Sequence, residues 1–524
     1  LEPWHADIRS FLDLRKNNGK EEQRARDLFY GLWIPDLFMK RLNEATQQNK
    51  PVKWSLFCPD SAHVEGNKRL YDCYGPEFEQ MYQDYEQRGL ATEVIPDIRD
   101  LWFAILTSQK ETGTPYMLYK DHVNSKNAQA NLGVIRNSNL CAEIVEYSDE
   151  QEHAVCNLAS IVLSRFVKER DGQPHYDFEH LRSISYTALK NLDRVLDITI
   201  YPTPATERSN LRHRPVGLGV QGLADAFILM RYPYDSPEAS RLNRQIFETI
   251  YYGAMQASAD LAQARHQIYL DHKDQPELLA KLGFNQYELP LKVYPGAYSS
   301  FEGSPLSQGQ LQFDMWQDQP DEQLDWDWTT LRQQIAQYGV RNSLTTALMP
   351  TASTASILKS VECMEPLKSN LYTRRVLGGE AVVLNRYLER DLTKLKLWTP
   401  ELKRQLVANR GSVQNIEVIP DHLKQLYKTA FEIKQRVILN MARDRAPFID
   451  QTQSMNLFVD QPTDKILTSI HLYGWKCGLK TGMYYLRRMP KAKPIQFTVD
   501  HIPTPKALTP KEADETAECD TCGA

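Results

Sequence analysis

The sequence lacks several features that would place it in common classes of protein. No run of about 18 apolar residues occurs, so the sequence predicts no membrane span, and it shows no signal peptide. It has no excess of positive charge: 62 Lys and Arg stand against 67 Asp and Glu, for a net charge of −5. This balance argues against a broad basic surface for nucleic acid. Only eight of 524 residues are cysteine, which argues against a disulfide framework and favours a reducing, cytoplasmic setting.

The composition and the two ends of the chain indicate its organisation. With 42% hydrophobic and 25% charged residues, the chain is typical of a globular protein of about two to four domain-sized units. It begins with Leu1 rather than Met, in a segment typical of the middle of a domain, which predicts a fragment or a processed or split product. Residues 504–524 carry almost no large apolar side chains, so we expect a flexible tail there.

Hydrophobic spacing gives a coarse secondary structure. It predicts helices over four segments: 20–45, 176–199, 238–265 and 421–445. Residues 343–358 are expected to form a strand, a Pro-Thr turn and a short helix. Residues 266–297 are polar and contain several prolines, which predicts an irregular surface excursion.

The segment from Asn139 to Glu143 combines unusual side chains. In an extended strand alternate residues share a face, so Asn139, Cys141 and Glu143 would form one row of amide, thiol and carboxylate. Cys156 follows in a second short segment that can also be a strand. A half-buried strand with an inert core cysteine is the structural alternative. A site that removes hydrogen from a polar substrate is the functional one.

Two further segments can carry chemistry. Tyr484 and Tyr485 are adjacent, and either fill the core or, as stacked phenols, pass a hydrogen atom toward a thiol. The small and hydroxyl residues after Pro350 can begin a helix whose free N–H groups bind phosphate, or can be an ordinary N-cap. These residues are Thr351, Ala352, Ser353, Thr354 and Ala355.

Two short motifs need separate interpretation. Cys519 and Cys522 form a Cys-x-x-Cys pair in the predicted tail, and no second pair completes a zinc site. A dithiol for exchange, carrying electrons inward, is therefore favoured over metal binding. Residues 217–222 match Gly-x-Gly-x-x-Gly, but no clear hydrophobic strand precedes them, which argues against a dinucleotide-binding fold.

Taken together, these features closely resemble the large (alpha) subunit of class I ribonucleotide reductase, of the eukaryotic and viral type, along nearly the whole chain. Further segments that carry the resemblance are Leu1–His5, Thr112–Asp121, Arg214–Gly217 and Tyr372–Val376. The resemblance implies an α/β fold, the C-terminal part of a ten-stranded α/β barrel over residues 1–503. It places the loop with Cys141 at the centre of the barrel. Residues 266–297 are longer than the family pattern predicts, which indicates an insertion.

The resemblance also implies roles at the site. Cys141 is expected to be the thiyl radical that abstracts the ribose 3′ hydrogen, with Glu143 as general base at the 3′ hydroxyl. Asn139 is expected to position the substrate, and Cys156 to be one member of the dithiol that reduces the 2′ position. Residues 351–355 are expected to hold the nucleoside diphosphate.

The remaining expected roles concern the supply of a radical and of electrons. Tyr485 and then Tyr484 are the expected last relay steps from a metal-containing small subunit that bears the radical. Cys519 and Cys522 are the expected dithiol that re-reduces the site and is itself reduced by thioredoxin or glutaredoxin. The chain itself is expected to bind no metal or other cofactor.

The resemblance also shows what this sequence does not contain. The family's longer N-terminal region carries the ATP and dNTP effector sites, the first barrel strands and the second active-site cysteine, which pairs with Cys156. The expected function is therefore reduction of ribonucleoside diphosphates together with an N-terminal half of the subunit, and the isolated chain is expected to be inactive. A non-catalytic remnant that binds the small subunit or the N-terminal half is the alternative.

Overall fold

A computed structural model describes residues 1–60, 68–288, 293–316, 324–376 and 379–489. The predicted tail, with Cys519 and Cys522, lies outside the described residues. Short 3₁₀ helices occur at Glu21–Gln23, Leu70–Asp72, Leu163–Phe166, Leu306–Gln308, Gln312–Met315 and Ala446–Phe448. Among the described helices, none combines the length and the apolar character that crossing a membrane requires.

The described residues contain α-helices of very different length. They are α1 Ile8–Asp13, α2 Asp36–Gln48, α3 Gly75–Gln87, α4 Ile98–Thr112, α5 Lys120–Asn124, α6 Phe178–Ile198, α7 Pro204–His213, α8 Leu223–Met230, α9 Pro237–His272, α10 Pro276–Lys281, α11 Trp328–Tyr338, α12 Ala352–Leu358, α13 Arg386–Lys394, α14 Pro400–Ala408, α15 Asp421–Leu426, α16 Gln435–Arg445 and α17 Asp464–Lys476.

The described strands are all short. They are β1 Gly31–Ile34, β2 Trp54–Leu56, β3 Glu93–Ile95, β4 Tyr116–Tyr119, β5 Leu158–Val162, β6 Val167–Arg170, β7 Gln173–Tyr176, β8 Gly217–Gln221, β9 Leu371–Val376, β10 Gly379–Leu384, β11 Leu457–Phe458, β12 Thr481–Met483 and β13 Leu486–Arg487. Antiparallel pairs join β2 with β3, β6 with β7, and β9 with β10.

The other strands form a hydrogen-bonded series that we call the central wall. Its members, in spatial order, are β5, β8, residues 344–348, residues 451–458 with β11, β12 with β13, β4 and β1. β5 runs parallel to β8, and the Leu218 N–H donates to the Thr345 carbonyl at 2.8 Å. The Leu348 N–H then donates to the Thr452 carbonyl at 3.0 Å. Parallel neighbours of this kind are typical of α/β folds.

The second half of the central wall carries the residues that matter most below. β11 runs parallel to β13, β12 pairs antiparallel with β4, and β4 runs parallel to β1. Tyr484 and Tyr485 form the short connection between β12 and β13. Because β4 lies between β12 and β1, both its backbone edges are occupied and its side chains are held in fixed positions.

Helices cover the wall and form the main hydrophobic core. α6 packs along the 36-residue helix α9. Gly253 makes the close approach possible, since a Cβ there would lie 2.6 Å from the Arg182 carbonyl oxygen. A separate cluster beside the wall contains Trp33, Tyr116, Val145 and Tyr484, with Cys141 packed against it.

The structure confirms some of the predicted elements and corrects others. The helices predicted at 176–199 and 238–265 correspond to α6 and α9. The helix predicted over residues 20–45 is wrong: it contains β1, and α2 begins only at Asp36. Pro35 has an extended backbone and separates the two elements. Pairing of β1 with β4 therefore overrides the helix-like spacing.

The predicted irregular excursion at 266–297 is wrong in part. Residues 266–272 continue α9, and α10 follows at Pro276–Lys281. Glu288 is buried, and its Oε1 lies 2.5 Å from a guanidinium nitrogen of Arg341. Residues 289–292 lie outside the described residues. That the segment is an insertion stays a prediction.

Candidate active site

Asn139, Cys141 and Glu143 lie in a turn, not in a strand, so the predicted strand face is wrong. Ala142 has a φ of 64°, in the left-handed region that a strand cannot contain. The Asn139 side-chain oxygen accepts the N–H groups of Glu143 and Ile144, both at 3.2 Å. The amide thus closes the turn around the thiol, which local hydrogen bonding of an Asn side chain favours.

The central wall fixes this turn by its backbone. Three successive carbonyl groups, at residues 141–143, accept hydrogen bonds from the wall. The donors are the Ser454 hydroxyl to Cys141 at 2.5 Å, the Thr481 hydroxyl to Ala142 at 3.0 Å, and the Thr452 N–H to Glu143 at 3.0 Å. Buried carbonyl groups need such partners. The Cys141 thiol therefore lies in a turn whose carbonyl groups at residues 141–143 are each hydrogen-bonded to the central wall.

Glu143 is a buried carboxyl beside the thiol. Its side chain is almost completely buried, and burial raises its pKa, while hydrogen bonds from Asn139 and Ser454 act in the opposite direction. The Ser454 hydroxyl lies 3.1 Å from Glu143 Oε2. Burial and the charge of Glu143 also raise the pKa of the Cys141 thiol. Both effects favour the protonated form of the thiol.

Cys156 and Glu146 form the other side of the site. Cys156 is exposed to solvent, but the surrounding protein removes part of the hydration of its thiol. This desolvation raises the pKa of the thiol to about 11, and Glu146, Glu143 and Cys141 contribute in the same direction. Burial raises the pKa of Glu146 to about 8. Gln451 donates to Glu146 Oε1 at 3.1 Å, whereas Oε2 is buried and has no hydrogen-bond partner among the residues that the structure describes. Glu146 is thus a neutral acid at pH 7, close enough to influence Cys156.

The two tyrosines contact each other and reach the thiol. The ring centroids of Tyr484 and Tyr485 are 4.5 Å apart at 68°, so the rings meet edge to face rather than in the stack that we predicted. Cys141 packs against the cluster that contains Tyr484, and burial and the neighbouring Cys141 raise the pKa of the Tyr484 phenol. The Arg487 guanidinium lies over the ring of Tyr485 at 4.5 Å. These contacts form a continuous path from Tyr485 through Tyr484 to Cys141.

The predicted phosphate segment forms the start of the short helix α12. Thr351 precedes the helix, and Ala352, Ser353 and Thr354 occupy its exposed first turn. The Thr351 hydroxyl is buried and accepts the Cys363 N–H at 2.8 Å, so it is already engaged within the protein. The Thr354 hydroxyl already donates to the Thr351 carbonyl at 3.2 Å. Exposed backbone N–H groups and the Ser353 hydroxyl remain as possible donors.

The Gly-x-Gly-x-x-Gly segment forms strand β8 and not a phosphate-binding loop, which agrees with our rejection of a dinucleotide fold. Gly217 and Gly219 are needed for close packing in the wall. A Cβ at Gly219 would lie 2.6 Å from the Ala347 carbonyl oxygen, and one at Gly217 would lie 2.5 Å from Leu158. In the part of the chain that the structure describes, no group of three or more His, Cys, Asp or Glu side chains could hold a metal ion.

Four residues of the site were not identified from the sequence: Glu146, Gln451, Ser454 and Tyr116. Three of them belong to segments of ordinary composition whose position only the fold reveals. Tyr116 begins β4 and lies in the Thr112–Asp121 segment that resembles the reductase family. Its aromatic character there was the available signal.

A thiol on an anchored turn, packed beside a tyrosine pair and near buried carboxyls, places the chain in a class: an α/β protein with a cysteine at its candidate site. The comparisons specify the family. Residues 1–485 match the family model described as ribonucleotide reductase, barrel domain. The chain therefore belongs to the ribonucleotide reductase large-subunit family.

Relatives from distant organisms are about 50% identical to this chain over the aligned residues. The ribonucleoside-diphosphate reductase large subunits of Arabidopsis thaliana and Danio rerio are each 50% identical, over 99% of this chain and 60% of the relative. The large chain 2 of Saccharomyces cerevisiae is 50% identical, over 97% of this chain and 54% of the relative. The chain thus spans little more than half the length of these relatives.

A solved structure supports the fold. The class Id ribonucleotide reductase alpha subunit of Actinobacillus ureae aligns with a TM-score of 0.61 and 23% identity, over 93% of this chain and 69% of that chain. The expected family fold, the barrel of the reductase alpha subunit, is confirmed by this likeness and by the family model.

Proposed function

We propose that this chain is the catalytic part of a ribonucleoside-diphosphate reductase large subunit and converts ribonucleoside diphosphates to deoxyribonucleoside diphosphates for DNA synthesis. The observation that carries the proposal is the packing of Cys141 against the cluster that contains Tyr484, beside the ring contact of Tyr484 with Tyr485, inside a chain of this family. A protonated thiol packed beside a buried phenol is suited to exchange a hydrogen atom.

The proposed reaction uses the site as follows. Cys141, as a thiyl radical, removes the 3′ hydrogen of the ribose, while Glu143 accepts the proton of the 3′ hydroxyl. Asn139 positions the substrate. The C2′–O bond breaks, and the 2′ oxygen takes a proton from the thiol pair and leaves as water. C2′ gains the second hydrogen of the pair, so Cys156 and its partner thiol are oxidised to a disulfide, and Glu143 returns its proton to the 3′ oxygen. Cys141 then returns a hydrogen atom to the 3′ position, so the radical is regenerated on sulfur.

The proposal includes partners that supply the radical and the electrons. A separate small subunit, which carries a metal centre, supplies the radical through Tyr485 and then Tyr484. The thiol that pairs with Cys156 and the effector sites for ATP and dNTP are expected in an N-terminal half of the subunit. Residues 351–355 would receive the diphosphate. We expect the complex to act in the cytoplasm.

A reconstitution assay tests the proposal. The chain is combined with the N-terminal half of a relative's large subunit, the matching small subunit and dithiothreitol, and reduction of CDP is measured. We expect turnover, and its loss in Cys141→Ser. Cys477→Ser is the matched control, because this half-buried cysteine lies outside the site. Turnover that survives in Cys141→Ser would contradict the radical assignment.

The same assay separates an enzyme from a non-catalytic remnant. If the assembled complex binds the small subunit but produces no deoxynucleotide, the chain serves only in assembly. The tail is tested by replacing Cys519 and Cys522 with Ser. We expect the double variant to retain activity with dithiothreitol and to lose it with thioredoxin or glutaredoxin, because only the protein reductants need the tail as a carrier.

A further inference from the structure

A third tyrosine, Tyr116, contacts both members of the tyrosine pair. Its ring centroid lies 4.8 Å from that of Tyr484 and 5.3 Å from that of Tyr485. Its hydroxyl donates a hydrogen bond to the Tyr485 hydroxyl oxygen at 3.3 Å, and the Tyr116 phenol also interacts with the Tyr484 phenol. Tyr116 is 2% exposed, so its phenol lies inside the protein against the two relay residues.

The backbone of Tyr116 is held within the central wall. Tyr116 is the first residue of β4, paired with Gly31 of β1, and its N–H donates to the Tyr30 carbonyl at 3.1 Å. A Cβ at Gly31 would lie 3.1 Å from the Tyr116 Cβ, so the small residue leaves room for this side chain. Tyr484 and Tyr485 form the connection between two short strands, and their N–H groups donate to the Met455 carbonyl at 2.6 Å and the Asn456 side-chain oxygen at 3.1 Å.

The hydroxyl group is what distinguishes Tyr116 from an ordinary core aromatic. A phenylalanine would fill the same volume without the cost of burying a polar group. The recorded partner of the Tyr116 hydroxyl is another phenol, not a backbone carbonyl. Tyr176, a buried tyrosine elsewhere, shows the usual solution, since its hydroxyl donates to the Leu163 carbonyl at 3.1 Å. Tyr116 therefore directs its polar group at the relay.

We propose that Tyr116 is a positioning residue for radical transfer: it fixes the phenol of Tyr485 against Tyr484 by a donated hydrogen bond and two ring contacts. The inference rests on the proposed function of the tyrosine pair. Because Tyr116 is the donor and the Tyr485 oxygen is the acceptor, the O–H of Tyr485 stays available to another acceptor. Tyr484 and Tyr485 already contact each other directly, so transfer between them does not require oxidation of Tyr116.

Tyr116→Phe tests the inference, since it removes the hydroxyl and keeps the ring. In the reconstituted complex we expect kcat for CDP reduction to fall about tenfold, which corresponds to the loss of one hydrogen bond of ordinary strength. KM for CDP should be unchanged, because Tyr116 does not take part in the proposed nucleotide site. Tyr176→Phe is the matched control and should leave kcat unchanged, since it loses one buried hydroxyl away from the relay.

A second measurement does not depend on turnover. 3-Fluorotyrosine is placed at position 485, and its ¹⁹F NMR signal is recorded in the assembled complex with Tyr116 intact, with Tyr116→Phe and with Tyr176→Phe. We expect the signal to shift only in Tyr116→Phe. An inactive complex with intact Tyr116 counts against the proposed function but leaves this readout available.

Two results would overturn the inference. One is an unchanged ¹⁹F signal in Tyr116→Phe, which shows that the phenol does not hold Tyr485. The other is an active complex in which Tyr116→Phe has the same kcat as the Tyr176→Phe control. If Tyr116→Phe fails to fold, a fluorinated, more acidic tyrosine at position 116 keeps the volume and the hydroxyl. The ¹⁹F signal of that residue should then respond to Tyr485→Phe, and an unchanged signal overturns the inference.

Discussion

Glu146→Gln is expected to make the folded chain more resistant to alkaline pH. Burial raises the pKa of Glu146 from its usual 4.5 to about 8, so the native protein keeps a proton that the unfolded chain releases. For a group with a raised pKa, the stabilising effect is complete below about pH 4.5 and is lost as the pH rises toward 8. Glutamine keeps the oxygen that accepts the hydrogen bond from Gln451, and it never ionises. The variant should therefore not lose stability between about pH 4.5 and pH 8.

The size of the effect follows from proton linkage. One proton held by the native state but not by the unfolded state changes the free energy of unfolding by about 1.4 kcal/mol per pH unit. Between about pH 5.5 and pH 7.5, both inside the window, the difference between variant and original chain should therefore grow by roughly 2–3 kcal/mol. The burial of Glu146 and its partnerless Oε2 are the physical causes.

The assay is urea unfolding, followed by tryptophan fluorescence, at a series of pH values between these limits. Glu150→Gln is the matched control, because Glu150 is exposed and lies only four residues further along the chain. We expect the Glu146→Gln curve to diverge steadily from that of the original chain and the Glu150→Gln curve to run parallel to it. Parallel curves for Glu146→Gln would refute a carboxyl that stays neutral at pH 7.

Two further predictions concern the wall and the turn. Ser454→Ala removes the hydroxyl that hydrogen-bonds Glu143 Oε2, so the pKa of Glu143 should rise further. The acid limb of the profile of kcat/KM against pH should then move to higher pH, and kcat should fall about tenfold. An acid limb at the original pH would contradict a role for this contact. Gly219→Ala forces a methyl group against the Ala347 carbonyl and should lower the free energy of unfolding by about 1–3 kcal/mol. Urea unfolding measures this change, and an unchanged urea midpoint would contradict tight packing of the wall at Gly219.

The chemical identity of the site could be predicted from the sequence better than its geometry. Asn139, Cys141 and Glu143 stood out by residue type, yet the strand expected for them does not exist. Ala142 has a left-handed backbone, which hydrophobic spacing does not indicate. Hydrogen bonds from wall residues more than 300 positions away, such as Ser454, stabilise this conformation. A pattern within one short segment cannot predict partners that are so distant in the chain.

The same limit explains which elements were predicted correctly. The long amphipathic helices α6 and α9 follow from spacing within one segment. β1 was misread because its partner β4 lies more than 80 residues further on, and a four-residue strand has too few side chains to show its own period. Tyr116 and Glu146 gain their roles only through contacts across the fold, so no pattern within their own segments marks them.

One measurement tests most directly the claim that Cys141 removes the 3′ hydrogen of the ribose. The reconstituted complex is given a mixture of unlabelled and 3′-deuterated CDP, and the isotope ratio of the remaining substrate is followed by mass spectrometry as turnover proceeds. Cleavage of the 3′ C–H bond predicts that the remaining CDP becomes enriched in deuterium, and that Cys141→Ser gives neither enrichment nor product. Product formation with an unchanged isotope ratio, or any turnover in Cys141→Ser, would contradict the account.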